Sequence, residues 1–236
     1  MPFVCKLIPR SLIFGVLFTV STSTLAFVST RQSTTTFTRQ SWRANNLLAS
    51  DTEDVDLSDV GFVLLAGGTG SRMKADMPKQ FLPLRGKPIL HHSLDLFLEQ
   101  LPRALGEKRA PNNVVLVIDP MYQPEYEHFV DKYQGKLAMA NPGIERQGSV
   151  QNGLNKLISM AGDSCLYVAV HDSARPLVSI PEIISVVTDA KQTGAAVLGV
   201  PCKATIKESA DGVLVQRTIP RSRLWEVHTP QGKFQV

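Results

Sequence analysis

The sequence predicts an α/β protein, a doubly wound and mainly parallel sheet with a protruding β-hairpin arm. Three observations point there. Short apolar runs recur without the apolar-polar alternation of a half-exposed strand, as strands buried on both faces do. Segments of helical period stand between those runs. Beyond Pro201 the alternation gives way to two β-like runs around Asp211-Gly212, a favoured hairpin turn.

The first run, VGFVLL at 60–65, is apolar throughout and ends against Gly67, Gly68 and Gly70. Leu90, Leu94, Phe97, Leu98 and Leu101 then repeat at helical spacing, so the segment from Pro88 is expected to lay one face on the sheet. Residues 114–118 read as a second buried strand. Helices follow at about 122–133, 146–160 and 181–192, alternating with strands near 137–140, 167–170 and 195–200. The arm covers about 201–223, with strands at 204–207 and 213–217; an ordinary edge hairpin fits the same residues equally well. No internal repeat is visible.

The loop after the first strand carries the most chemistry. Residues 66–80, AGGTGSRMKADMPKQ, set glycines, Arg72 and Lys79 behind the carboxyl end of an apolar strand, where open α/β sheets bind ligands. Without Cβ atoms, backbone N–H groups at Gly67, Gly68 and Gly70 can approach phosphate oxygens closely, and the two cations add fixed positive charge. Two familiar glycine loops are excluded. The dinucleotide pattern fails because Gly68-Thr-Gly70 is followed by Ser71, Arg72 and Met73, and no Gly-Lys-Ser/Thr occurs. A tight strand-to-helix turn bearing surface cations is the alternative. Asp172 follows the apolar stretch 167–170, and a hard carboxylate in that position suits Mg²⁺. Cys165 and Cys202 lack metal-ligand spacing, and neither a disulfide framework nor a zinc site is indicated.

Several stretches agree in order along the chain: residues 66–80 continuing as MPKQFLPL (77–84), ERQGSV (145–150), HDSARP (171–176), GAAVLGVP (194–201) with ATIKE (204–208), and Leu224-Trp225 through TPQ (229–231). Together they resemble the 2-C-methyl-D-erythritol 4-phosphate cytidylyltransferases of the non-mevalonate isoprenoid pathway, the plastid ones above all. The resemblance runs from about residue 58 to 231. It implies a Rossmann-like nucleotidyltransferase that moves CMP from CTP to methylerythritol phosphate, releases pyrophosphate and uses Mg²⁺. By resemblance Arg72 and Lys79 face the α-phosphate as transition-state stabilisers, while Ala66, Gly67, Gly68, Gly70 and Ser149 surround the nucleotide. Asp172 becomes a metal ligand, and Arg175, Thr205, Arg221 and Thr229 serve the acceptor. Thr205 and Arg221 would reach it from the arm of a neighbouring subunit, which implies a homodimer. From the residues alone, Ser149 fits a helix N-cap as well as a nucleotide contact. His171 fits a structural role better than that of a base, because a phosphate attacker is already ionised. A cytidylyltransferase for a pentitol phosphate such as ribitol 5-phosphate, and an inactive homologue that only binds nucleotide, are the competing readings.

Charge separates the leader from the domain. The first fifty residues contain Lys6, Arg10, Arg31, Arg39 and Arg43 and no acidic side chain, so all 21 acidic residues, against 20 of the 25 basic ones, lie beyond them. The basic balance therefore belongs to the N-terminus, and nucleic-acid or polybasic membrane binding by the domain loses its support. Residues 12–20 are an apolar core too short to span a bilayer, preceded by Lys6 and Arg10 and followed by Thr24 and Ala26 at the positions of a cleavage site. Residues 1–26 read as a signal peptide, with a membrane anchor as the alternative. Residues 27–50, rich in Ser, Thr and Arg, read as a plastid transit segment, and the tandem resembles the bipartite leaders of algae with secondary plastids. Residues 51–59 read as a solvated acidic linker and 60–236 as the cytidylyltransferase domain. The family continues past Thr-Pro-Gln with a long helix, a second metal-binding aspartate and a lysine that grips the acceptor phosphate. This chain ends at Gly232-Lys-Phe-Gln-Val236. The C-terminal part of the domain is therefore expected to be missing, which leaves open the activity of the chain as written.

Overall fold

A computed structural model of the chain describes residues 3–7, 55–68 and 77–234. The expected transit segment, the greater part of the signal peptide, and Gly70 and Arg72 lie outside these residues. Strand β1 (Phe3–Leu7), within the stretch read as a leader, runs along one edge of the sheet. The domain itself begins with β2 (Val60–Leu65), all six of whose residues are buried. A 3₁₀ turn (Lys79–Phe81) leads into the small hairpin β3 (Pro83–Leu84) and β4 (Lys87–Pro88), turned at Arg85 and Gly86, both with positive φ. One continuous helical run follows as α1 (Ile89–Asp95), a π turn (Leu96–Gln100) and α2 (Leu101–Leu105). Then come β5 (Asn113–Val117), α3 (Gln123–Lys132), β6 (Leu137–Ala140), α4 (Arg146–Ala161), β7 (Tyr167–Asp172), α5 (Ile180–Thr193) and β8 (Ala195–Pro201). The chain closes with the short pair β9 (Lys207–Glu208) and β10 (Arg217–Thr218) and the long β11 (Trp225–Phe234).

The main sheet has the order β1-β8-β11-β7-β2-β5-β6. β2 is parallel to β5 and β7, β5 is parallel to β6, and β11 is antiparallel to both β7 and β8. Successive side chains of β2 serve opposite faces. Phe62 and Leu64 enter a core with Leu90, Leu94, Phe97 and Ile183 from α1, the π turn and α5, whereas Val63 and Leu65 pack with Leu157 of α4. Helices thus cover both faces, as the fully apolar strands required. On the α4 side, a Cβ at Gly153 would collide with Val63 and Val117, so this glycine lets the helix lie close on the sheet.

Two expectations are revised. Residues 55–59 are not a free linker: Leu57 is 0 % exposed, its N–H bonds the Arg109 carbonyl, and Asp59 pairs with Lys191 at 2.5 Å. Apolar Leu57 outweighs the acidic composition around it. The arm is less regular than two joined strands. Only Glu208↔Arg217 and Lys207↔Thr218 pair, and the Asp211 carboxylate accepts the N–H groups of Val213 and Leu214, which spends the Asp-Gly corner on a wider turn. The residues around Thr229-Pro-Gln, for which the sequence indicated no strand, are extended as well. They form β11, whose register shifts between Val227 and Gln231 and so absorbs Pro230 within a strand between two others.

Candidate functional site

The pairing of β2 with β7 aligns Leu65 with Asp172, so the glycine loop and the aspartate leave the sheet side by side at its carboxyl edge. Gln80 then fixes the loop. Its side-chain amide, in a residue 2 % exposed, donates to the carbonyls of Ala66 at 2.6 Å and Gly68 at 3.0 Å. One side chain thus ties both ends of the described part of the loop. A Cβ at Gly67 would strike Pro142, so the loop lies directly against the segment that precedes α4.

Lys79, one residue before that glutamine, places Nζ 3.4 Å from Asp172 Oδ2, and Arg175 Nε lies 3.7 Å from the same oxygen. Asp172 Oδ1 accepts the Ala174 N–H at 3.1 Å. The carboxylate is thus flanked by two cations and remains partly exposed. Phe81, which follows the Lys79–Gln80 pair, packs on Tyr122 with ring centroids 4.1 Å apart and near Tyr126 of α3, anchoring the turn that presents the lysine.

Below the mouth lies His171, 0 % exposed, whose burial pushes its pKa down to about 4, against the opposing pull of Asp172. It is neutral at physiological pH. With its attacker already ionised, the reaction implied by the resemblance requires nothing more acidic or basic here. Thr229, buried in β11, accepts the Asp172 N–H through Oγ1 at 3.2 Å.

Ser149 sits inside the first turn of α4, whose N-cap is Glu145, so the N-cap alternative does not hold. Its hydroxyl accepts the Gly143 N–H at 3.0 Å and donates to the Glu145 carbonyl at 3.2 Å, shaping the loop beside Pro142. Thr205 and Arg221 are exposed at the arm. Arg221 donates to the Lys203 carbonyl at 3.1 Å and lines a cavity of about 710 Å³ with Cys202, Lys203, Glu226 and His228. No hydrogen bond or ion pair joins either residue to the Asp172 cluster among the described residues.

Two residues were missed by sequence reasoning. Gln80 lay inside the quoted motif, but a lone glutamine carries no spacing signal. His228 had no partner in sequence; its Nδ1 accepts from Arg175 Nη1 at 3.1 Å, linking the Asp172 turn to the arm-root cavity. Cys165 and Cys202 are free thiols, the first buried. No group of three or more His, Cys, Asp and Glu converges as a metal cage among the described residues. Likewise, no described helix is long and apolar enough to cross a membrane.

A glycine loop, a lysine and a carboxylate at the carboxyl edge of a doubly wound sheet define the class, an α/β protein with a ligand site where its parallel strands end. A family model described as "IspD: 2-C-methyl-D-erythritol 4-phosphate cytidylyltransferase" matches residues 60–236. A chloroplastic 2-C-methyl-D-erythritol 4-phosphate cytidylyltransferase of Oryza sativa subsp. japonica is 49% identical over 179 residues, 76% of this chain and 56% of its own length. The enzyme of that name from Geobacillus thermodenitrificans is 41% identical over 172 residues, 72% of this chain and 69% of its own. The chain belongs to the 2-C-methyl-D-erythritol 4-phosphate cytidylyltransferase family, and spans just over half the length of the rice relative. Among solved structures, the cytidylyltransferase of the same name from Thermus thermophilus matches at TM-score 0.52 and 28% identity, covering 75% of this chain and 70% of that one. A 4-diphosphocytidyl-2C-methyl-D-erythritol synthase from Anaerococcus prevotii matches at TM-score 0.61 with 20% identity, over 76% and 72% of the two chains, and speaks for the fold alone.

Proposed function

We propose that the protein transfers CMP from CTP to 2-C-methyl-D-erythritol 4-phosphate, giving 4-diphosphocytidyl-2-C-methyl-D-erythritol and pyrophosphate for isoprenoid precursor synthesis. The observation that carries this reading is the Leu65↔Asp172 register, which sets Lys79 and the glycine loop beside the carboxylate of the mouth. An acceptor phosphate oxygen attacks the α-phosphorus while the bond to the β-phosphate oxygen breaks, so pyrophosphate carries the electron pair away. The protein supplies positioning and charge. Lys79 exchanges Asp172 for the α-phosphate, and Arg72 adds its charge to the same group. Ala66, Gly67, Gly68 and Gly70 cradle the nucleotide, and Ser149 shapes the cytosine side of the pocket.

The donor chemistry at Asp172 fits Mg²⁺, a hard cation commonly held by one or two carboxylates together with substrate phosphates and water. When bound, the ion neutralises the triphosphate. Arg175 and the arm residues Thr205 and Arg221 bind the acceptor, the latter two in the neighbouring protomer of a homodimer. Thr229 contributes through the turn it holds, since its hydroxyl is engaged by Asp172. A sedimentation mass of one protomer would remove the dimer from this scheme. The protein works in the plastid, which residues 1–50 address as a signal peptide and transit segment. Similarity to a chloroplastic relative supports that location.

Pyrophosphate release measured with CTP, Mg²⁺ and each acceptor separates the readings. Turnover with methylerythritol phosphate is expected. Turnover with ribitol 5-phosphate alone would move the chain to the pentitol enzymes, and nucleotide binding without turnover would mark an inactive homologue.

A further inference from the structure

The turn formed by Asp172 to Arg175 is fixed at its centre from the sheet and from α1. Ser173 N–H bonds the Leu65 carbonyl at 3.0 Å, and Ser93 Oγ donates to the Ser173 carbonyl at 2.9 Å. Both ends of the turn are reached by a single imidazole. His171 Nε2 lies 3.2 Å from the Arg175 carbonyl, and Nδ1 lies 3.2 Å from Thr229 Oγ1, the atom that accepts the Asp172 N–H.

Donors and acceptors follow from what each group can do. A carbonyl only accepts, so Nε2 carries the proton directed at Arg175. With the ring's one proton on Nε2, Nδ1 is bare and only accepts, so the Thr229 hydroxyl donates its single hydrogen there while one of its lone pairs takes the Asp172 N–H. The result is one continuous path, from Asp172 N–H through the Thr229 hydroxyl and the imidazole to the Arg175 carbonyl. Its middle lies under the mouth, because His171 and Thr229 are buried. Phe97 packs against the ring, centroids 5.1 Å apart, and hinders any other seating.

We propose that His171 is a positioning residue: as an Nε2–H imidazole it ties both ends of the 172–175 turn and so aims the Asp172 carboxylate and the Arg175 guanidinium. The kinetic part rests on the cytidylyltransferase reading; the structural part does not. Groups that orient ligating residues from behind typically matter by about 10–100-fold.

The test uses the full chain with two variants that remove the path at different points. His171→Phe keeps a ring beside Phe97, and Thr229→Val keeps the volume of the side chain. Each is expected to lower kcat at least about tenfold while KM for CTP stays within about twofold. The double variant is expected to be no worse than the poorer single one by more than about twofold, because both changes cut the same path. Thr229→Ser, which keeps the hydroxyl, should recover the wild-type rate. Two readouts need no turnover: amide exchange at Asp172 should speed up at least about tenfold in both variants while β5 keeps its protection, and nitrogen NMR of the wild-type imidazole should show the Nε2–H tautomer. Unchanged kcat in the folded variants, independent multiplying effects, unaltered exchange at Asp172 or an Nδ1–H tautomer would each overturn the proposal. Absence of CMP transfer by the wild type would instead fault the functional reading, and the exchange and tautomer results would still decide this one.

Discussion

Lys79 and Gln80 are neighbours with opposite environments, and this difference sets what each contributes. The Lys79–Asp172 pair is partly exposed with its atoms 3.4 Å apart, so it adds under about 1 kcal/mol to stability and leaves the lysine free for a phosphate. Gln80 is buried and its amide satisfies two carbonyls of the glycine loop. Gln80→Leu would leave both carbonyls without that donor. Of the two, only Ala66 is buried, and an unpaired buried group costs about 1–3 kcal/mol, so the variant should lose at least about 1 kcal/mol in urea unfolding and raise KM for CTP. An unchanged unfolding midpoint would show that water takes over the two carbonyls. Lys79 was legible in the sequence because an Arg and a Pro-Lys behind a glycine loop form a pattern. Gln80 was not, since its importance arises from a fold that returns it to the loop fourteen positions earlier.

The elements divide in the same way between local and non-local causes. Strands β2, β5, β6, β7 and β8 were legible because burial on both faces demands an unbroken apolar run. β11 was not, because Pro230 and Gly232 read as punctuation, and only the register shift between neighbouring strands accommodates them. The arm was misjudged for the reverse reason: Asp211-Gly212 is a strong local signal, yet the Asp211 carboxylate closes a wider turn and Val213 to Val215 remain exposed. At α4, Gly153→Ala pits a helix-propensity gain of about 1 kcal/mol against overpacking of about 1–3 kcal/mol on Val63 and Val117. Collision with β-branched side chains fixed in the sheet should win, and thermal unfolding should show a net loss of about 1 kcal/mol; a higher midpoint would mean that α4 can lift.

Element packing also sets an alkaline limit. Burial pushes the Tyr126 phenol up to about 12 from 10.0, so between those values the folded state holds a proton that the unfolded state has released. Stability from this group is present below pH 10 and falls as the pH rises toward 12, by up to about 3 kcal/mol. Tyr126→Phe should flatten that decline in urea midpoints between pH 10 and 12. Because Tyr126 also neighbours Phe81, weakening this packing should loosen the turn that presents Lys79.

At the scale of the whole molecule, the fold places its chemistry at one edge. Parallel β2 and β7 end level with each other, α4 begins beside them, and β11 brings Thr229 and His228 up from the far end of the chain. Nothing in that arrangement needs a covalent nucleophile; what it offers is charge held in place. Its chemistry therefore turns on whether Lys79 acts in the transition state rather than in binding. Steady-state kinetics of Lys79→Ala with CTP, Mg²⁺ and methylerythritol phosphate tests this most directly. The expected kcat is lower by roughly a hundred to a thousand fold, with KM for CTP changed by no more than about threefold. Equal losses in both constants, in a variant that folds normally, would contradict it.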